Sequence, residues 1–138
     1  MRYAELQVTT HFSFLRGASS ADELFAAAAA LGIDALGVVD RNSLAGIVRA
    51  WEAAKTTGVR LVVGCRLDLT DAMSVLVYPM DRPAYSRLTR LLSLGKARGG
   101  KGNCLIDFAD LAEHAAGMIG VLVPDEVDET CAVQLRKM

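Results

Sequence analysis

An apolar run, Ala35 to Val39, ends in a carboxylate at Asp40, and the chain turns at once through Arg41-Asn42-Ser43 into an amphipathic segment. There Leu44, Ile47, Val48, Trp51 and Ala54 recur at the spacing of one helix face. A strand that delivers a charged residue at its carboxyl end and passes straight into a helix is how α/β folds build sites. The pocket in such folds lies outside the carboxyl ends of the strands. Asp40 and Arg41 are therefore expected at a pocket mouth, with Trp51 on the core face of the following helix.

The rest of the chain repeats the strand-then-helix pattern. Residues 4–10 alternate and are rich in β-formers (Leu6, Val8, Thr9, Thr10), which predicts a first strand. Residues 11–18 form a loop whose aromatics, Phe12 and Phe14, fold back on the core. Ser20 and Glu23 have capping-box spacing and open an Ala-rich helix to Leu31, with Gly32 at its C-terminal cap. Strand two is expected over 33–40, helix two from about Ser43 to Thr57 with Gly58 as its stop, strand three over 59–69 and strand four over 74–78. Asp81 caps a third helix with Pro83 in its first turn, where proline is tolerated. Its apolar face is Tyr85, Leu88, Leu91 and Leu92, and Gly95 ends it. A Gly/Lys loop over 96–104 follows, then a short helix over 108–116 capped by Asp107 and ended by Gly117. Strand five covers 118–123, Pro124 breaks it, and 125–138 reads as one more helix.

Repeated strand–helix units imply a mostly parallel sheet with helices packed outside it. Five strands are too few for the usual eight-strand barrel. No linker or repeat interrupts the chain, so residues 1–138 read as one domain cut from something longer. A hydrophobic content of 52% supplies a core, while no run of about 18 apolar residues marks a membrane span. The first residues lack the features of a signal peptide. Cysteines 65, 104 and 131 are odd in number and far apart, so buried free thiols in a cytoplasmic protein are expected rather than a disulfide framework or a zinc knuckle. The net charge of −1 gives the whole chain no general attraction to nucleic acid.

Three stretches carry a resemblance. The segments Tyr3-Ala4-Glu5-Leu6-Gln7-Val8-Thr9-Thr10-His11-Phe12-Ser13-Phe14-Leu15-Arg16-Gly17-Ala18-Ser19 and Ala30 to Gly46 resemble the opening of PHP domains (polymerase and histidinol phosphatase). Val63-Gly64-Cys65-Arg66-Leu67 is similar to the third strand of that family. Phe12-Ser13-Phe14-Leu15, Asp40 to Gly46 and Leu91-Leu92-Ser93-Leu94-Gly95-Lys96-Ala97-Arg98 narrow the likeness to the amino-terminal PHP domain of bacterial C-family polymerase alpha subunits, in their error-prone, damage-tolerant branch. The resemblance runs over nearly all of the chain. It implies part of a distorted (β/α)7 barrel, and a full protein many times longer.

Metal-binding members of the family hold up to three ions. They carry His-x-His on the first strand, an acidic residue before the Gly-Ala of the next loop, a histidine after the strand-two aspartate, and an acidic residue after the strand-three Gly-Cys-like pair. The matching positions here are Gln7 and Thr9, then Arg16, Arg41 and Arg66, and only Asp40 keeps the pattern. Guanidinium groups neither ligate nor deprotonate, and a metal cluster needs imidazoles and carboxylates to offset its charge. The expectation is a degenerate site with no metal and no catalytic residue, in which Asp40 pairs with Arg16, Arg41 or Arg66. Those arginines also suit phosphate oxygens.

Other candidates have plainer readings. His11 sits beside two aromatics and is expected to pack in its loop, and His114 to lie on the surface late in a helix, where it favours the dipole. Between Arg82 and Lys101 there is no acidic residue, and Arg87, Arg90, Lys96, Arg98 and Lys101 are candidate contacts to nucleic acid or a neighbouring domain, against a solvated basic face. No aromatics interleave with the Gly/Lys stretch to make a stacking platform.

The function implied by the resemblance is that of a metal-free scaffold in an error-prone DNA polymerase. Its partners would be the remaining polymerase chain and, through it, DNA, with magnesium serving the polymerase domain and no membrane involved. The alternatives are a free-standing metal-dependent phosphoesterase of the PHP type and a metal-free interaction module acting alone.

Overall fold

The computed structural model describes residues 2–71, 73–124 and 133. The helix expected over 125–138 falls outside the described residues apart from Val133. The chain divides into two compact units, Met1–Cys65 and Arg66–Met138.

In the first unit the order is β1 (Ala4–Val8), α1 (Ala21–Ala30), β2 (Ala35–Val38), α2 (Ile47–Thr57) and β3 (Arg60–Val63). The strands form a parallel sheet in the order β1-β2-β3. Every residue of the central strand β2 is buried. Phe25, Val38 and Ala50 are fully enclosed, and Ala21, Ala28, Ala53, Leu36 and Val59 complete the core. Alanines on the buried faces of α1 and α2 let the two helices lie close together. The Ser20–Glu23 capping box forms as expected: Ser20 Oγ accepts from Glu23 N at 3.2 Å and the Glu23 carboxylate accepts from Ser20 N at 2.8 Å.

Two expectations about α2 are corrected. It begins at Ile47, because Ser43 Oγ accepts from the Ala45 amide and folds residues 43–46 into a turn instead of a cap. Val48 and Trp51 face solvent, at 67% and 52% exposure, and the buried face runs through Ala50 and Ala53. Lys55 Nζ stands 3.3 Å from the Trp51 ring centroid, so a cation–π contact covers the indole where core packing was expected.

Strand three is likewise two strands. The Gly64 amide donates to the Val38 carbonyl, and β3 ends there. β4 (Cys65–Leu67) joins a second sheet, order β4-β5-β6, with β5 (Ser74–Pro79) and β6 (Met118–Val123). In this sheet β5 and β6 run antiparallel, unlike the parallel pairs β1–β2 and β2–β3 of the first unit.

The second unit also holds α3 (Arg82–Gly99) and α4 (Phe108–His114). Leu88, Leu91 and Leu92 are buried on α3, as their spacing predicts. Gly95 does not end the helix. A Cβ there would fall 2.5 Å from Ile106 Cγ1 and 2.8 Å from Cys104 Sγ, and the Gly95 carbonyl accepts from the Leu105 amide. The missing side chain therefore makes room for the returning segment, which offsets the roughly 1 kcal/mol that glycine costs inside a helix. The stop is Gly100, at φ +70°. Asp107 caps α4 in a reciprocal box with Asp110, and the helix closes at His114, short of the expected 116.

Candidate functional site

The parallel register of β1 and β2 brings the loop after β1 onto the end of β2. Ala4 pairs with Ala35 but Val8 with Val38, so β1 holds one extra residue between Glu5 and Val8. The Val39 amide donates to the Val8 carbonyl and continues the shifted register, which sets Thr10 opposite Asp40. Gly37 makes the irregularity possible, since a Cβ there would lie 2.6 Å from the Leu6 carbonyl oxygen. A β-bulge of this kind re-aims the residues that follow it.

Asp40 is 2% exposed and its carboxylate is caged by neutral donors. The Thr10 amide donates to Oδ1 at 2.8 Å, Thr10 Oγ1 to Oδ2 at 2.8 Å, and Ser13 Oγ to Oδ1 at 2.7 Å. Ser13 Oγ in turn accepts from the Arg41 amide at 2.9 Å, and Thr10 Oγ1 accepts from the Phe12 amide at 3.1 Å. The Ser13 carbonyl receives the Arg16 and Gly17 amides, so the loop is wound around the residue that grips Asp40. Gly17 lies against the Thr10 backbone, where a Cβ would come within 2.3 Å of the carbonyl oxygen. Gly46 closes over Asp40, and Cys65 Sγ donates to the Asp40 carbonyl at 3.4 Å.

The expected ion pair is therefore corrected: Thr10 and Ser13 satisfy Asp40, not Arg16, Arg41 or Arg66. Short hydroxyls reach a buried carboxylate without the desolvation cost of burying a guanidinium beside it. Arg16 is exposed and Arg41 half-buried. Arg66, in the second unit, bonds through Nε to Asp68 at 3.0 Å and through Nη2 to Ser74 at 3.0 Å. Gln7 is exposed on β1, and Thr9 is half-buried. The strand-end signal found Asp40, but the pocket mouth expected there is corrected: the carboxylate is buried beneath Gly46 and the loop that donates to it. Thr10 and Ser13 were missed, because the bulge that sets their register leaves no mark in the apolar pattern.

A family metal cluster does not fit these residues. Three of the roughly four acceptor sites of the Asp40 carboxylate are taken, and burial leaves it no open face. Among the described residues, no three His, Cys, Asp or Glu side chains gather as a metal site.

Of the basic residues after Arg82, two are tied internally. Arg87 Nε donates to the Ala116 carbonyl at 2.8 Å, and Arg98 pairs with Asp110. The Arg98 guanidinium, helped by the Asp107 amide, holds the Asp110 carboxyl below the usual carboxylate range. Arg90, Lys96 and Lys101 are exposed. His11 stacks on Phe12, with ring centroids 4.7 Å apart, as its loop reading predicts. His114 is half-buried, Nδ1 2.8 Å from the Asp110 carbonyl oxygen. Burial raises the Cys104 thiol pKa above its ordinary value, with Lys96 opposing the shift.

Comparison with known proteins places this geometry in a family. The chain is 76% identical over 138 residues to error-prone DNA polymerase 2 of Rhizobium meliloti, and 74% identical over the same length to error-prone DNA polymerase of Allorhizobium ampelinum. Identity to error-prone DNA polymerase of Caulobacter vibrioides is 54%. In each case the chain spans only 13% of the relative's length. Among solved structures, a protein named as a metal-dependent phosphoesterase of Bifidobacterium adolescentis superposes with a TM-score of 0.60 at 22% identity, over 71% of this chain and 34% of its own. An amidohydrolase of Chromobacterium violaceum gives 0.58 at 22% identity, over 68% of this chain and 33% of its own. These two matches carry the fold alone, a mixed α/β arrangement consistent with part of a PHP barrel. The family model named PHP domain matches residues 5–133, and the chain belongs to the PHP domain family.

Proposed function

We propose that this chain is the PHP region of an error-prone DNA polymerase III alpha subunit, and that within the complete protein it is a structural scaffold carrying no metal. The observation that supports the reading is 76% identity across all 138 residues to a protein named for that activity and about eight times longer. The complete protein would then be a cytoplasmic nucleotidyltransferase that copies DNA past damage. Its catalytic carboxylates and magnesium would lie in a later domain, with the rest of the polymerase chain as this region's direct partner.

The metal-free part of the reading is supported by the chemistry at Asp40, where Thr10 and Ser13 occupy the carboxylate and Arg16 and Arg41 stand at positions where ligands would be needed. No phosphoester cleavage is assigned to these residues. Arg90, Lys96 and Lys101 remain available for phosphate oxygens or an adjoining domain.

Two measurements test this. The complete reading frame, expressed and purified, should extend a primer on undamaged and lesion-bearing templates; a stop codon after codon 138, or no extension, overturns the polymerase assignment. Elemental analysis of the purified 138-residue chain should find zinc and manganese far below one equivalent. Stoichiometric metal overturns the scaffold reading and favours a metal-dependent phosphoesterase.

A further inference from the structure

The loop that cages Asp40 also holds an apolar pair out in solvent. Phe14, expected to fold back on the core, is instead 85% exposed, and Leu15 beside it is fully exposed. Leu15 adopts φ +61°, the left-handed region that a leucine rarely enters. Leu15 has no local packing to justify that conformation. What fixes it is the wound backbone on either side: Ser13 N to the Thr10 carbonyl, Arg16 N and Gly17 N to the Ser13 carbonyl, and His11 N to the Ser19 carbonyl. Ser13 is anchored to the buried Asp40 and Gly17 pressed on Thr10, so the tip is a rigid knob and not a loose end. Strain that persists at a fully exposed residue, beside an exposed aromatic, is a feature that pays only when something covers it.

We propose that the Phe14–Leu15 knob inserts into an apolar pocket of the same polypeptide beyond residue 138, fixing this region to the body of the polymerase. The inference rests on the polymerase reading above. The occupant follows from length. The chain is 13% of the protein it matches at 76% identity, so most of such a protein's surface lies outside these residues. Two side chains on a preformed turn suit a pocket in folded protein. A lipid surface would call for a longer amphipathic face with basic residues alongside. A preformed knob also binds at low ordering cost, which is what an interdomain anchor needs.

The test uses thiol labelling in the complete protein, read peptide by peptide by mass spectrometry so that native cysteines do not interfere. Leu15→Cys is compared with Leu31→Cys, a control at a residue 76% exposed on the end of α1. In the 138-residue chain both should label at similar rates. In the complete protein Leu15→Cys should label at least tenfold more slowly than Leu31→Cys, at a rate independent of protein concentration. Equal rates in a protein that extends primers overturn the docking and leave the polymerase assignment standing. Protection that fades on dilution points to a second copy and overturns it too. A reading frame that ends at codon 138 overturns both. As a check against misfolding, Leu15→Gly keeps the turn: it should leave the melting of the 138-residue chain unchanged or raised, but lower that of the complete protein. Equal shifts in the two overturn the proposal.

Discussion

Replacing Asp40 by alanine removes three hydrogen bonds to a charged acceptor, two on Oδ1 and one on Oδ2. Such bonds contribute about 1.5–3 kcal/mol each, and a buried donor left without a partner costs about 1–3 kcal/mol. The Thr10 and Ser13 hydroxyls can rotate to other acceptors, but the Thr10 amide is fixed by the backbone and has no second partner in the cage. The net loss should be about 3–5 kcal/mol, a large share of the roughly 5–15 kcal/mol that holds a domain folded. At this chain length it corresponds to a fall in Tm of about 10–20 °C. Asp40→Asn keeps one oxygen for the Thr10 amide and Ser13, and presents an amide to Thr10 Oγ1, which then loses its acceptor; a loss of about 1–2 kcal/mol is expected. Urea unfolding followed by circular dichroism should rank wild type above Asp40→Asn above Asp40→Ala. An Asp40→Ala protein within about 1 kcal/mol of wild type would refute the view that this carboxylate organises the loop. Loss of a measurable phosphatase activity in the same variant would show that it does chemistry.

Three further outcomes follow from particular contacts. Gly37→Ala should cost about 2 kcal/mol or more, because its Cβ meets the Leu6 backbone 2.6 Å away and must flatten the β1 bulge; an unchanged unfolding midpoint would contradict that account. Asp110 has its carboxyl pKa depressed in the fold, so its contribution is present above the ordinary aspartate value of about 3.9 and lost as pH falls through the lower folded value. Melting temperatures between pH 7 and pH 2.5 should fall more steeply at the acid end for wild type than for Arg98→Ala, with a difference at neutral pH of about 0.5–1 kcal/mol, since Asp110 is buried but the Arg98 guanidinium is half in solvent. Trp51→Ala should cost no more than about 1 kcal/mol, the scale of an exposed cation–π contact, whereas Phe25→Ala in the core should cost about 3–5 kcal/mol in the same denaturation assay.

Patterning was most informative where one residue type carries one local job. Ser20 and Glu23 announce their capping box, Asp81 and Asp107 their caps, and Leu88, Leu91 and Leu92 a buried stripe, because each depends on neighbours within a turn or two. It misled at Trp51, where a large apolar residue at helical spacing was assigned to the core although small alanines on the opposite side fill the narrow gap to α1. It misled again at Gly95, whose role is to admit Ile106 and Cys104 from ten residues onward. Local signals cannot report a packing partner that has yet to arrive in the chain.

The candidate site divides in the same way. That Asp40 would stand at the end of a buried strand, and that the arginines at 16, 41 and 66 offer nothing to a metal, follow from the order of residues alone, since strand ends and guanidinium chemistry are local properties. What satisfies Asp40 was decided by tertiary structure. One extra residue in β1, accommodated by the bare backbone of Gly37, shifts the register so that Thr10 and Ser13 reach the carboxylate before any cation does. Register is a relation between two strands some thirty residues apart, and no single stretch of the chain contains it.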